Sequence, residues 1–149
     1  MLNSILASNV AQVRIGIRMI VELGKKRVGF LGMAFKPDTD DMRESPLVEV
    51  IETLIGKGYD VRIYDRNIST SRLIGANRRF IEEHIPHLSS LLVEDIDALI
   101  ANAEVIVVGY KSPEFSAVLK RLRPEQTVVD LARLAKTVDT PARYEGICW

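Results

Sequence analysis

One cysteine, two histidines and no net charge leave this chain few routes to chemistry of its own. A single thiol, Cys148, cannot build an internal disulfide framework and fits a reducing compartment. His84 and His87 form no familiar metal spacing with it, so no metal site is expected. Twenty basic residues balance 20 acidic ones. Without a basic excess, nucleic acid is not an expected partner. No apolar run approaches the roughly 18 residues that cross a bilayer, so no membrane partner is expected. The N-terminus lacks a basic stretch followed by an apolar block, so no signal peptide and a cytoplasmic location are expected. What the chain does have is 149 residues, 47% of them hydrophobic, enough to bury one real core.

Apolar periodicity divides the chain into alternating elements. Residues 2–23 read as a helix, with Leu6, Val10, Val13, Ile17 and Ile20 repeating at spacings of 4, 3, 4 and 3. Leu2, Ile5, Ile15, Met19 and Leu23 add apolar surface around it. Such a helix packs on its own domain, or also on a second subunit or domain; the second alternative is favoured. Gly24 and Lys25-Lys26-Arg27 stop it. Four short β-rich runs come next, Val28–Leu31, Val61–Tyr64, Val105–Val108 and Val128–Asp130, as expected of strands buried on both faces of a parallel sheet. Between the first two, Leu47, Val50, Ile51, Leu54 and Ile55 form a helical stripe, with Ser45 as N-cap and Pro46 at the first helical position. Further helices are expected near 70–84, 94–102 and 113–122, with Asp95 and Pro113 marking two starts. The fold expected is α/β: a three-layer, Rossmann-like, doubly wound parallel sheet preceded by a long N-terminal helix.

Candidate sites collect where strands end. Gly29-Phe30-Leu31-Gly32-Met33-Ala34 is a degenerate dinucleotide fingerprint without the G-x-G-x-x-G spacing. Asp65 stands where a Rossmann acid would meet a ribose hydroxyl, or it simply caps a loop. Tyr110 and Lys111 follow the third strand, either at a ligand edge or merely facing solvent. Residues 33–44 are too many for a tight phosphate turn. Their two cations, Lys36 and Arg43, can meet a diphosphate, Arg43 through a bidentate fork. A plain surface salt bridge, worth at most about 1 kcal/mol, is the competing reading of Arg43. The acids Asp38, Asp40, Asp41 and Glu44 would repel phosphate unless they pair locally.

Phe35-Lys36-Pro37-Asp38-Thr39-Asp40-Asp41-Met42-Arg43-Glu44-Ser45-Pro46 closely resembles the F-K-x-x-T-D-D-x-R-E-S-P motif of the nucleotide-sugar 6-dehydrogenases, the UDP-glucose and GDP-mannose dehydrogenases. The resemblance runs on through Leu54–Asn67, Ile85–Leu92 and Glu145–Trp149, which look most like the GDP-mannose branch. It implies that residues 1–24 are the end of a central dimerisation helix, giving a homodimer through residues 2–23. Residues 25–149 would then be a C-terminal nucleotide-sugar-binding Rossmann-like domain. It implies that Phe35 and Lys36 contact the nucleotide sugar, GDP-mannose or UDP-glucose, and that Arg43 contacts NAD held mainly by a domain absent from this chain. Family members oxidise a sugar C6 alcohol twice, through a cysteine thioester, to supply a uronate for polysaccharide synthesis. That cysteine lies upstream of the central helix and is not Cys148, so no catalytic residue is expected here and the chain alone should not catalyse. A stand-alone, non-catalytic dimerising nucleotide-binding module is the alternative. Arg133 is a further candidate, since UDP-glucose members carry an arginine nearby that meets the nucleotide.

Overall fold

A computed structural model describes residues 2–33, 46–66, 83, 88–134 and 138–146. Its element order is α1 (Leu2–Glu22), β1 (Arg27–Leu31), α2 (Pro46–Gly56), β2 (Asp60–Tyr64), the single turn α3 (Leu88–Leu91), α4 (Ile96–Asn102), β3 (Val105–Val108), α5 (Pro113–Leu119), β4 (Thr127–Asp130) and β5 (Arg143–Gly146). The five strands form one parallel sheet in the order β2-β1-β3-β4-β5. Parallel pairing throughout requires crossover connections, which lay helices against the sheet. Gly29 on β1 looks onto Leu99 and Ala103 beside α4, close enough that a Cβ there would meet Leu99 at 2.5 Å. On α2 the stripe Leu47, Val50, Ile51 and Leu54 is buried as its spacing requires.

The expected strands are present, and β3 and β4 are buried along their whole length. β5 was not expected. It reads Arg143-Tyr144-Glu145-Gly146 with an exposed, polar pattern. An edge strand pairs on one side only and needs no apolar run, so hydrophobicity could not reveal it. Asp95 caps α4, its carboxylate accepting from the Asp97 amide at 2.9 Å. α5 begins at Pro113 and stops at Leu119, short of the expected 122. Ser45 and nearly all of 70–84 lie outside the described residues.

On α1, Val13 and Ile20 are buried, and Ile17 packs partly buried against the same core. The described part of the heptad-like seam therefore faces this domain. Ile15 and Val21, on other sides of the helix, are 44% and 36% exposed.

Strand register decides where loops can gather. Leu31 pairs with Tyr64 and Val108, Val108 with Asp130, and Asp130 with Gly146. Five strands thus end at one level, forming a continuous carboxyl edge. The opposite end is tied down by Gln126, a buried amide the periodicity could not flag. Its Nε2 donates to the Ile100 and Ala103 carbonyls at 2.7 and 2.8 Å, and its Oε1 accepts from the Arg123 amide at 2.7 Å. Three backbone groups, two at the end of α4 and one in the turn before β4, depend on this one side chain. Gln126→Leu should lower the unfolding free energy by roughly 2 kcal/mol or more, since it strands buried polar groups. Urea denaturation with an unchanged m-value checks it.

Candidate functional site

The chain runs from β1 outward to β2, then crosses back to β3 on the far side of β1. Between the carboxyl ends of β1 and β3 lies the switch point where such sheets take ligands. Two glycines make its floor. A Cβ on Gly109 would collide with the Gly32 carbonyl oxygen and with Leu47 Cδ1. Gly32 itself adopts φ +86°, and a Cβ there would meet the Tyr110 ring at 2.9 Å. Tyr110 therefore lies against the bare backbone of Gly32. It stacks on Phe115 with centroids 5.2 Å apart and planes 12° from parallel.

Asp65 holds this arrangement from below. It is fully buried. Its Oδ2 accepts from the Met33 amide at 2.9 Å, and its Oδ1 accepts from the Tyr110 hydroxyl at 3.1 Å. The carboxylate works inward as a loop clamp, which decides between the two readings of Asp65. Tyr110 is only 7% exposed, so solvent exposure does not describe it, whereas the adjacent Lys111 is exposed. A second carboxylate, Glu114 at the start of α5, accepts from the Tyr64 hydroxyl at 2.7 Å and from Arg66 at 3.2 Å. Burial first, and the Glu114 carboxylate next, raise the Tyr64 pKa.

The end of β4 repeats the device. Asp130 is fully buried and accepts from the Ala132 and Leu134 amides, both at 2.8 Å, and from the Tyr144 hydroxyl at 2.5 Å. The turn so pinned forces Arg133 to φ +54°, among the described residues the one non-glycine at positive φ. A left-handed arginine stores roughly 1–2 kcal/mol of strain, which three hydrogen bonds to one carboxylate can hold. Beside this turn, Lys111, Ser112, Ser116, Lys120 and Leu134 line an open groove of about 540 Å³ along α5. Its lining among the described residues carries two lysines and no carboxylate, a charge that suits an anion.

Phe35, Lys36 and Arg43 lie outside the described residues, as do Cys148, His84 and His87. The structure brings together Gly32, Asp65 and Tyr110 at the switch point, and Lys111 and Arg133 along the same edge. Sequence reasoning missed the roles of Asp130, Tyr144 and Glu114. A usable signal existed for the first: Asp65 and Asp130 each close an apolar strand, where a carboxylate must find partners or stay out of the core.

Residues 29–137 match the UDP-glucose/GDP-mannose dehydrogenase family, UDP binding domain. The chain belongs to this family. It is 45% identical over 149 residues to GDP-mannose 6-dehydrogenase of Pseudomonas aeruginosa, covering 100% of this chain and 34% of that relative. A crystal structure of a ternary complex of GDP-mannose dehydrogenase from the same organism superposes with TM-score 0.89 at 45% identity, again over 100% of this chain and 34% of the other. A UDP-glucose dehydrogenase from the archaeon Pyrobaculum islandicum matches with TM-score 0.74 at 30% identity, over 99% and 32%. The chain thus spans about a third of the relatives it matches.

A Rossmann sheet that binds a dinucleotide such as NAD does so at this switch point. The family domain's own switch point does not fit that dinucleotide. The glycine spacing is wrong, Tyr110 covers Gly32, and both Asp65 oxygens are already engaged inward. No hydride step is assigned to this crevice.

Burial first, and then the bond to Asp130, push the Tyr144 pKa well above its ordinary value. In the unfolded chain a tyrosine loses its proton near pH 10. The stability Tyr144 contributes is therefore intact below about pH 10 and is lost as pH rises from there through the folded-state value. Unfolding free energy should fall on the alkaline side, and Tyr144→Phe, less stable at neutral pH, should show a shallower alkaline decline. Chemical denaturation between pH 7 and 11 measures both.

Proposed function

We propose that this chain is the C-terminal nucleotide-sugar-binding part of an NAD-dependent 6-dehydrogenase acting on GDP-mannose or UDP-glucose. Residues 1–24 are the end of a dimer-building helix, and residues 25–149 are the binding domain. The observation that carries the reading is the match of the whole chain, at 45% identity, to one third of a GDP-mannose 6-dehydrogenase. Phe35 and Lys36 grip the nucleotide sugar, and Arg43 reaches the phosphates of NAD held mainly outside this chain. The parent enzyme, cytoplasmic and homodimeric, oxidises the sugar C6 alcohol to a uronate used in polysaccharide synthesis. NAD supplies the hydride acceptor there, while this chain's residues bind and orient the nucleotide sugar and do not themselves catalyse.

The carboxyl edge supports this division of labour. Its switch point is filled by the Tyr110 ring, and the exposed Lys111 stands beside it. Phosphate is held there by charge and not by a glycine cradle.

A second reading, a dimerising nucleotide-binding module without chemistry, is favoured by the exposed Ile15 and Val21 on α1. It predicts a ligand-independent dimer in sedimentation whose nucleotide response ignores Lys36→Ala. Calorimetry tests the first reading. Binding of GDP-mannose or UDP-glucose at millimolar or lower concentration, lost in Lys36→Ala and absent for NAD alone, is expected. No heat with GDP, GDP-mannose, UDP or UDP-glucose at millimolar concentration contradicts it.

A further inference from the structure

Asp65 stands where an open sheet of this kind reads its ligand. In dinucleotide-binding sheets the acid after the second strand accepts from a ribose hydroxyl, and a glycine turn after the first strand lets pyrophosphate lie against the backbone. Here Asp65 follows β2 and is fully buried, and Gly32 follows β1 at φ +86°. Both positions are taken by one side chain of the protein itself. The Tyr110 ring lies on Gly32, so close that a Cβ there would meet Cδ1 and Cε1 at 2.9 Å. Its hydroxyl donates to Asp65 Oδ1 at 3.1 Å, and Phe115 stacks on the ring. A phenol thus supplies what a ribonucleotide supplies elsewhere: bulk over the glycine and a hydroxyl on the acid. A second strap crosses the same crevice. Tyr64 ends β2, Glu114 lies in α5 after β3, and β1 runs between the two strands. The Tyr64 hydroxyl donates to Glu114 at 2.7 Å, and Arg66 donates to the same oxygen at 3.2 Å. Core filling alone does not ask for the Tyr110 hydroxyl. A phenylalanine stacks on Phe115 as well, and a buried carboxylate is a costly partner where apolar residues would serve.

We propose that Tyr110 is a specificity-determining residue: an internal stand-in for a ribonucleotide, which keeps free ribonucleotides, the adenylate half of NAD included, out of the switch point. With the ring removed, the crevice takes a ribonucleoside diphosphate, its diphosphate over Gly32 and a ribose hydroxyl on Asp65. A carboxylate has about four acceptor positions, so the Met33 amide and a ribose can share this side chain. The exclusion does not depend on where the chain binds a nucleotide sugar. A tyrosine that only fills the core predicts the opposite: its removal leaves a void that collapses or admits no nucleotide.

The test titrates ADP, and its dideoxy analogue lacking both ribose hydroxyls, into variants of the full chain. Calorimetry gives the affinity, and amide NMR locates the nucleotide. In the unaltered chain millimolar ADP should leave Gly32, Met33, Asp65 and Tyr110 unshifted. Tyr110→Ala should bind ADP at millimolar or lower concentration, with shifts at those four positions, and the dideoxy analogue at least tenfold more weakly. Tyr110→Phe keeps the ring over Gly32 and should stay closed. If Tyr110→Ala does not fold, Tyr110→Val, which keeps part of the packing, replaces it. If neither folds, saturating ADP should restore folding of the Ala variant by mass action. Four results overturn the proposal: no binding or rescue by ADP at the emptied switch point, the same shifts in the unaltered chain, equal affinity for the dideoxy analogue, or a Phe variant that binds as tightly as the Ala variant.

Discussion

The backbones leaving β1 and β3 meet at Gly32 and Gly109 with no room for one carbon atom between them. The whole carboxyl edge is built on that contact. Because Gly109 has no side chain, Leu47 of α2 can close over it. Because Gly32 has none, the Tyr110 ring can lie flat against the chain and stack on Phe115. In a dinucleotide-binding sheet the space over such glycines admits pyrophosphate. Here the protein fills it with its own aromatic ring. The same backbone economy that elsewhere opens a crevice is used in this domain to shut one.

Filling the crevice creates an electrostatic obligation. The tyrosine hydroxyl and the Met33 amide point into a dry interior, where unpaired polar groups are costly. Asp65 satisfies both, and Asp130 satisfies the equivalent groups one crossover further along the sheet. These two carboxylates face inward, while Lys111 and the strained Arg133 are exposed at the edge. The partly exposed Glu114 carboxylate there is paired with Arg66.

Much of this was legible in the residues. The short, β-branched apolar run Val105–Val108 announced a buried strand, and the spacing from Leu47 to Leu54 announced a half-buried helix. Asp95 and Pro113 announced helix starts through capping chemistry. The family resemblance grew out of the motif from Phe35 to Pro46 and ran on through Leu54–Asn67, Ile85–Leu92 and Glu145–Trp149. What stayed hidden was whatever depends on partners far away in sequence. Whether Asp65 faces a ribose or Met33 is a question about Tyr110, 45 residues on. β5 carries no hydrophobic signal because, among the described residues, one side of it pairs with no strand. Gln126 looks like any surface glutamine until two carbonyls near the end of α4 are brought to it. Tyr110 stayed undecided between a ligand edge and solvent because the glycine that receives its ring lies beyond a different strand.

If the carboxyl edge is the ligand face and the closed switch point its floor, ligand contacts must map there. Backbone amide mapping by NMR during a GDP-mannose titration tests this most directly. Shifts are expected to concentrate at Gly32, Met33, residues 109–112 and residues 131–134. Shifts confined to α1, or to the opposite strand ends at Arg27, Asp60 and Thr127, would contradict it.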